Sequence, residues 1–256
     1  MITVVKIGGE VVDNPAVLPQ FLEQFAAIEG PKVLVHGGGK EATRLSAALG
    51  IPTTMIEGRR VTSAETLEVC TMVYAGLVNK RLVSRLQGAG VNALGLSGAD
   101  GDAIRAVRRS PEPVDYGYVG DPSPEGVNAR MIAHLAASGI VPVFCAITHD
   151  GAGTLLNTNA DTVASTVAQA LAALGETRLI FCFEQPGVMA DINDPRSLIR
   201  EVSEADFERL KADGIVVKGM VPKLTNAFRA LRAGVADVHI RHACSLSRPS
   251  GTRIRL

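Results

Sequence analysis

No charge of either sign is in excess in this chain. Its 26 Lys+Arg balance 26 Asp+Glu over 256 residues. A dedicated nucleic-acid binder normally carries a basic surplus, so the balance argues against that class while leaving room for a local basic pocket. Cysteine is scarce: Cys70, Cys145, Cys182 and Cys244 stand far apart, mostly among apolar residues, and no pair has metal-ligand spacing. They read as buried free thiols of a reducing compartment. The five histidines show no metal-binding spacing either. The sequence has no run of about 18 apolar residues and no basic leader. A soluble, cytoplasmic protein with no membrane or nucleic-acid partner is expected. Low-complexity segments and fixed-period repeats are also lacking.

What the chain does have is apolar residues, at 46%. A chain of this length buries roughly 70–75% of its unfolded surface. The pattern alternates. Residues 3–7 read as a buried strand, 15–29 as a helix behind Pro15, 32–36 as a strand, and 40–49 as a helix closed by Gly50. This predicts a layered α/β domain with a mainly parallel sheet. A long helix is predicted over 63–87, opened by a capping box at Thr62-Ser63-Ala64-Glu65. Its wide apolar spread suggests a partner surface as well as contact with its own sheet. Further strands are predicted at 91–96, 140–146, 178–183, 236–240 and 251–254. Helices are predicted at 128–138, through Leu174, at 204–213 and at 220–233. Residues 104–109 and 116–119 read as an antiparallel pair around a Pro-rich turn. A soft lobe boundary lies near residue 175.

The most informative segments are two glycine turns at strand ends. Val4-Val5-Lys6-Ile7 opens into Gly8-Gly9, and Val33-Leu34-Val35-His36 opens into Gly37-Gly38-Gly39. Such turns let backbone N–H groups approach an anion, and Lys6 adds a fixed cation where open α/β sheets bind ligands. Neither turn is a Walker A loop or a G-x-G-x-x-G fingerprint. Arg60 suits a bidentate grip on a carboxylate, or it is a solvated loop arginine. Asn157, Asn159 and Asp161 fit either a helix cap or a substrate site with Asp161 orienting lysines. Lys218 and Lys223 lead a helix and either meet solvent or neutralise phosphate. Lys6 and Lys223 together could clamp a transferring phosphoryl group. No general base is evident, and a carboxylate nucleophile, already ionised at neutral pH, needs none.

At this point the chain resembles the acetylglutamate kinases of the amino acid kinase family. The resemblance rests on Lys6-Ile7-Gly8-Gly9, His36-Gly37-Gly38-Gly39, Gly58-Arg59-Arg60-Val61-Thr62, Leu156-Asn157-Thr158-Asn159-Ala160-Asp161, Gly219-Met220-Val221-Pro222-Lys223 and Gly251-Thr252-Arg253-Ile254. It implies a three-layer α/β/α sandwich around a mostly parallel open sheet, in one domain. Residues 1–175 would bind the acylglutamate and dimerise, and 176–256 would bind ATP. It implies phosphorylation of the γ-carboxylate of N-acetylglutamate by ATP with Mg²⁺, in arginine biosynthesis. Lys6 and Lys223 would stabilise the phosphoryl group, organised by Asp161. Gly8, Gly9, Gly38 and Gly39 would form the cradle. Arg60, Asn157 and Asn159 would hold the amino acid. Glu184, Gln185, Pro186, Gly187 and Val188, with Ile215, Val216, Val217 and Lys218, would bind the nucleotide. The 63–87 helix would form a homodimer.

This chain departs from the family at Phe183-Glu184-Gln185, where Thr/Ser-Asp-Val is common, and at Lys218, where Gly or Asp is common. In the family this neighbourhood, residues 97–120 here, includes a hairpin that closes over the amino acid, and in this chain it carries Arg105, Arg108, Arg109 and Tyr116. Those arginines suggest a different acceptor, N-succinylglutamate, whose additional carboxylate one of them would pair. The rival functions are a kinase of the same superfamily acting on another acceptor, a non-catalytic sensor of the same fold, and a nicotinamide dehydrogenase.

Overall fold

The structure is a computed structural model that describes residues 1–194, 196–216, 220–246 and 250–256. The expectations placed on Val217 and Lys218 fall outside the described residues. Ile2–Ile7 is the centre of an eight-stranded sheet. On one side it pairs with Lys32–His36, which is followed by Val141–Cys145 and Ala93–Leu96. On the other side it pairs with Thr177–Phe183, followed by Asp237–His242. All five of these pairings are parallel. Thr252–Ile254 then adds antiparallel to Asp237–His242, and Glu201–Val202 pairs parallel with it at the edge. The sheet is thus mostly parallel and open.

Side chains alternate across a strand, so each central strand feeds two cores. Val4, Val35, Phe144 and Phe181 pack with helices Ala129–Ala137, Ala160–Ala172 and Val221–Arg232. Val5, Ile7, Leu34 and Cys182 pack on the opposite face with Val17–Ala26 and the long helix that begins at Ala64. The result is the expected α/β/α sandwich. Leu18, Phe21, Leu22 and Phe25 are the buried stripe of Val17–Ala26, which is shorter than the 15–29 segment because Asn14 Oδ1 accepts from the Ala16 and Val17 amides ahead of it. Cys70, Cys145 and Cys182 are buried and free, and Cys244 is partly buried.

The structure corrects two local expectations. The long helix is not uniformly α: Ala64–Thr71 and Asn79–Gly88 flank a π-helical stretch, Met72–Val78. Its cap is Ser63, whose hydroxyl accepts from the Thr66 amide at 3.2 Å, and the Thr62–Glu65 box does not form. Thr62 is fully buried and otherwise engaged, bonding through its backbone to Tyr116 and Tyr118. The antiparallel partner of Ile104–Arg108 is Gly120–Val127, not residues 116–119. Gly117 and Val119 instead bridge to Thr62 and Asn157. Together with Ile147–His149 and Leu155–Asn157, these strands form a four-stranded sheet.

Candidate active site

Lys6 lies one residue from the C-terminal end of the central strand, on the face that carries Val4. That face looks toward helix Ala160–Ala172, whose first turn holds Asp161. The two meet: Lys6 Nζ and Asp161 Oδ1 are 2.6 Å apart, with both side chains more than nine-tenths buried. Asn159 is the helix cap, its Oδ1 accepting from the amides of Asp161 at 2.9 Å and Thr162 at 3.1 Å. Burial alone would raise the Asp161 carboxyl, but Lys6 and Lys223 together hold it below the usual aspartate range. Lys223 enters from the first turn of Val221–Arg232, and its Nζ lies 5.6 Å from the Phe183 ring centroid. Burial lowers its pKa, Asp161 and Glu184 oppose that, and Lys6 adds to it. Two ammonium groups thus share one buried carboxylate. An anion entering beside them would meet both cations in a setting less screened than bulk water.

The glycine turns close on this cluster. A Cβ at Gly9 would lie 3.9 Å from the Gly39 amide nitrogen, and one at Gly8 would lie 3.9 Å from Lys6 Nζ. Gly38 admits no side chain, because its Cβ would meet Tyr74 Cδ1 at 2.7 Å. Below the second turn His36 is fully buried. Its Nδ1 donates to the Gly37 carbonyl at 2.7 Å, and its Nε2 accepts from Asn79 Nδ2 at 3.0 Å. Asn79, which also donates to the Val143 carbonyl at 2.8 Å, is the first residue after the π-helical stretch.

Burial pushes the His36 pKa from 6.5 down to about 4, partly offset by the Gly37 carbonyl. The ring is therefore neutral at physiological pH. The unfolded chain takes up a proton near 6.5 that the folded chain refuses until about 4. The contribution to stability is complete above the unfolded value and is lost as pH falls through this window. The loss is roughly 3 kcal/mol. Urea unfolding at pH 7 and pH 4.5 measures it, and His36→Gln is expected to flatten the dependence between those two values.

A cavity of about 200 Å³ opens above the cluster. Its lining gathers Lys6, Gly9, Gly38, Gly39, Arg60, Asn157, Asn159 and Asp161, which come from distant parts of the sequence. Arg60 is buried, and its guanidinium donates to the Gly39 carbonyl at 2.9 Å and to Thr43 Oγ1 at 2.7 Å. Among the described residues no carboxylate pairs with it. Asn157 Nδ2 donates to Thr62 Oγ1 at 3.0 Å. Sequence reasoning missed Arg59, Met55, Tyr74 and Val119, which also line the cavity. Tyr74 carries no sequence signal beyond being one of three tyrosines on an otherwise apolar stripe. Its hydroxyl interacts with Arg60 and Cys70.

Arg105, Arg108, Arg109 and Tyr116 lie outside this lining. Arg105 grips Asp102 through Nε at 2.7 Å. Arg108 donates to the Gly117 carbonyl at 2.9 Å and stacks 4.5 Å from the Tyr118 centroid. Arg109 is held bidentately by Asp121 and sits 5.5 Å from the Tyr116 centroid.

A second cavity, about 510 Å³, reaches Met220 at the cap of Lys223's helix. It is lined by Gln185, Gly187, Val188, Met189, Ile192, Ile215, Val216 and Met220 among others, a largely apolar wall. Thr252 Oγ1 receives the Val188 amide at 2.8 Å and would sit 2.6 Å from a Cβ at Gly187, which fixes this bend. Glu184 and Pro186 are outside the lining, and Glu184, half-buried, immediately precedes Gln185. Among the described residues no group of three or more His, Cys, Asp or Glu is placed to hold a metal, and no helix is long and apolar enough to cross a membrane.

A family profile described as "Amino acid kinase family" matches residues 1–242. Acetylglutamate kinase of Bacteroides thetaiotaomicron is 53% identical over 254 residues, spanning 99% of this chain and 98% of that protein. Acetylglutamate kinase of Methanopyrus kandleri is 43% identical over 256 residues, spanning 98% of this chain and 99% of that protein. Among solved structures, smu.665 from Streptococcus mutans superposes with a TM-score of 0.79 at 27% identity, covering 99% of this chain and 98% of its own. N-acetylglutamate synthase from Neisseria gonorrhoeae shares the fold at a TM-score of 0.80 and 20% identity, with all of this chain covering 59% of that one.

Proposed function

The chain belongs to the amino acid kinase family, and from that membership we propose that it transfers the γ-phosphoryl group of ATP to the side-chain carboxylate of N-acetyl-L-glutamate. The products are N-acetylglutamyl 5-phosphate and ADP, and the reaction serves arginine biosynthesis. The observation that carries this reading is the Lys6–Asp161–Lys223 cluster set between two glycine turns.

An oxygen of the ionised γ-carboxylate attacks the γ-phosphorus. The bond from that phosphorus to the bridging oxygen of ADP breaks, and ADP leaves with the electron pair. No proton has to be removed first. Charge spreads over the equatorial phosphoryl oxygens in the transition state, so fixed cations lower the barrier by electrostatics alone. Lys6 and Lys223 supply that charge, and Asp161 holds both ammonium groups in place. The amides of Gly8, Gly9, Gly38 and Gly39 donate to phosphoryl oxygens. Arg60 and Asn157 hold the acceptor's α-carboxylate and acylamino group, with Asn159 shaping the wall between them.

The nucleotide lies along Gln185, Gly187, Val188, Ile215 and Val216, whose apolar groove suits a purine. In this division residues 1–175 serve the acceptor and 176–256 the nucleotide. Mg²⁺ bound with ATP neutralises the β and γ phosphates. The active form is a cytoplasmic homodimer, with the 63–87 helix as the shared surface. Met72 on that helix is 52% exposed, as a residue covered by a second copy would be in a single chain. A coupled ADP-release assay over N-acetylglutamate, free glutamate, aspartate and carbamate tests the reading. ATP binding without turnover on any acylglutamate would favour a sensor.

One observation favours a second acceptor, N-succinyl-L-glutamate. Arg59 lines the cavity beside Arg60, and burial lowers its pKa, with Arg109 adding to that effect. A second carboxylate on the acyl group would satisfy this guanidinium. In that case Arg59→Ala lowers kcat/KM for the succinyl compound by about tenfold or more and leaves the acetyl compound within about twofold. Equal losses on both would assign Arg59 to packing.

A further inference from the structure

Glu184 joins the Thr177–Phe183 strand, whose Phe183 ring lies 5.6 Å from Lys223 Nζ, to Gln185 of the apolar groove. The acceptor cavity reaches Lys6 and Asp161, and the apolar groove begins at Gln185. Lys223 is within electrostatic reach of both Asp161 and Glu184. On the reading above, the β and γ phosphates pass through this junction. A carboxylate there meets like charge, and Lys223, the cation in reach, is divided between it and Asp161.

The Glu184 side chain supplies a second observation. Its Oε1 is buried and has no hydrogen-bond partner among the described residues. Lys40 is also within electrostatic reach, but its ammonium is paired with Glu10. Asp161, the other carboxylate near the phosphates, is occupied by Lys6 at 2.6 Å. A buried oxygen left without a donor costs free energy. A hard divalent cation removes both penalties at once. It accepts a carboxylate oxygen as a ligand and separates that carboxylate from the phosphates. Mg²⁺ in phosphoryl-transfer sites is held by one or two carboxylates together with phosphate oxygens and water.

We propose that Glu184 is this chain's own ligand to the nucleotide-bound divalent cation. The proposal rests on the phosphoryl-transfer reading and adds to it a protein contact to the metal. It divides the labour at the phosphates: Lys6 and Lys223 take oxygens directly, and Glu184 acts through the ion. It also gives a reason for glutamate at a position otherwise unsuited to an anion.

Calorimetric ADP titrations, with Mg²⁺ or with EDTA, test it on the wild type and on Glu184→Gln. The wild type is expected to bind ADP about tenfold or more tightly when Mg²⁺ is present. In Glu184→Gln that preference shrinks to about twofold or less, while metal-free ADP binds as tightly as before or more tightly, because a repelling charge is gone. A damaged fold would not strengthen metal-free binding. Mn²⁺ spectra of the enzyme–ADP complex give a readout independent of affinity: the wild-type signal of protein-bound Mn²⁺ should narrow toward that of Mn²⁺–ADP in solution in the variant.

Glu184→Gln that keeps the wild-type Mg²⁺ preference overturns the proposal. A wild type that binds ADP under neither condition overturns the nucleotide reading beneath it. If Glu184→Gln binds no ADP at all, Glu184→Asp decides: a restored metal preference supports the proposal, and ADP binding without one overturns it.

Discussion

Lys6→Ala and Lys223→Ala each lower kcat by about 10²–10³-fold, with KM for N-acetylglutamate changing by no more than about threefold. The expectation follows from where the charges sit. Lys6, 6% exposed, pairs with Asp161 in the cavity wall, and Lys223 acts electrostatically on the same carboxylate from the start of its helix. A cation fixed in a site screened from water acts most strongly on charge that develops there, and that charge appears on the phosphoryl oxygens only during transfer. On the proposed reading the ground-state acceptor is held elsewhere, by Arg60 and Asn157. Steady-state ADP release at varied acceptor and fixed saturating ATP measures the split. A rise in KM at constant kcat would show that the lysines bind the ground state instead.

Asp161→Ala is expected to destabilise the fold by about 3–5 kcal/mol and to abolish most activity. Removing this carboxylate leaves the buried Lys6 without its ion-pair partner and facing the half-buried Lys223 across like charge. Lys223 already shows the tendency, since burial pulls its pKa down and Asp161 opposes that pull. The pH dependence has a definite sign. The folded pKa of Asp161 is below its ordinary 3.8, so its contribution is complete above that value and is lost as pH falls below it. Asp161→Asn should remove this acid limb. The His36 loss lies at higher pH, between 6.5 and about 4, so urea unfolding across the range separates the two groups.

Lys6-Ile7-Gly8-Gly9 and His36-Gly37-Gly38-Gly39 are readable because glycines after an apolar run have few meanings at a strand end. The stripe Leu18, Phe21, Leu22 and Phe25 is readable because its period matches a helix with one apolar face, whichever partner covers it. Where tertiary contacts override local pattern, the sequence misleads. Thr62 has the spacing of a capping box, yet Asn157 and the backbone at Tyr116 and Tyr118 claim it, and the cap moves to Ser63. The π-helical winding of Met72–Val78 leaves no trace in side-chain periodicity, so nothing in the sequence marks Tyr74 as a wall of the cavity. Val188–Met189, Leu198–Ile199 and Glu201–Val202 are two residues each, too short to show alternation. Arginines look alike in a sequence. Only the fold shows that Asp102 and Asp121 occupy Arg105 and Arg109 while Arg59 lines the cavity.

The strand in the middle of the sheet precedes all the others along the chain. Ile2–Ile7 has Thr177–Phe183 as one of its two neighbours, and Lys223 comes later still. A nascent chain that stops short of residue 177 therefore carries Lys6 on a strand with an open edge and lacks the second lysine altogether. Until then the ribosome holds a polypeptide with half a charge clamp and an unpaired β edge, a template for wrong pairing between neighbouring chains. On the proposed roles of the two lysines, a chain that stops before Lys223 is an inert fragment rather than a partly active kinase.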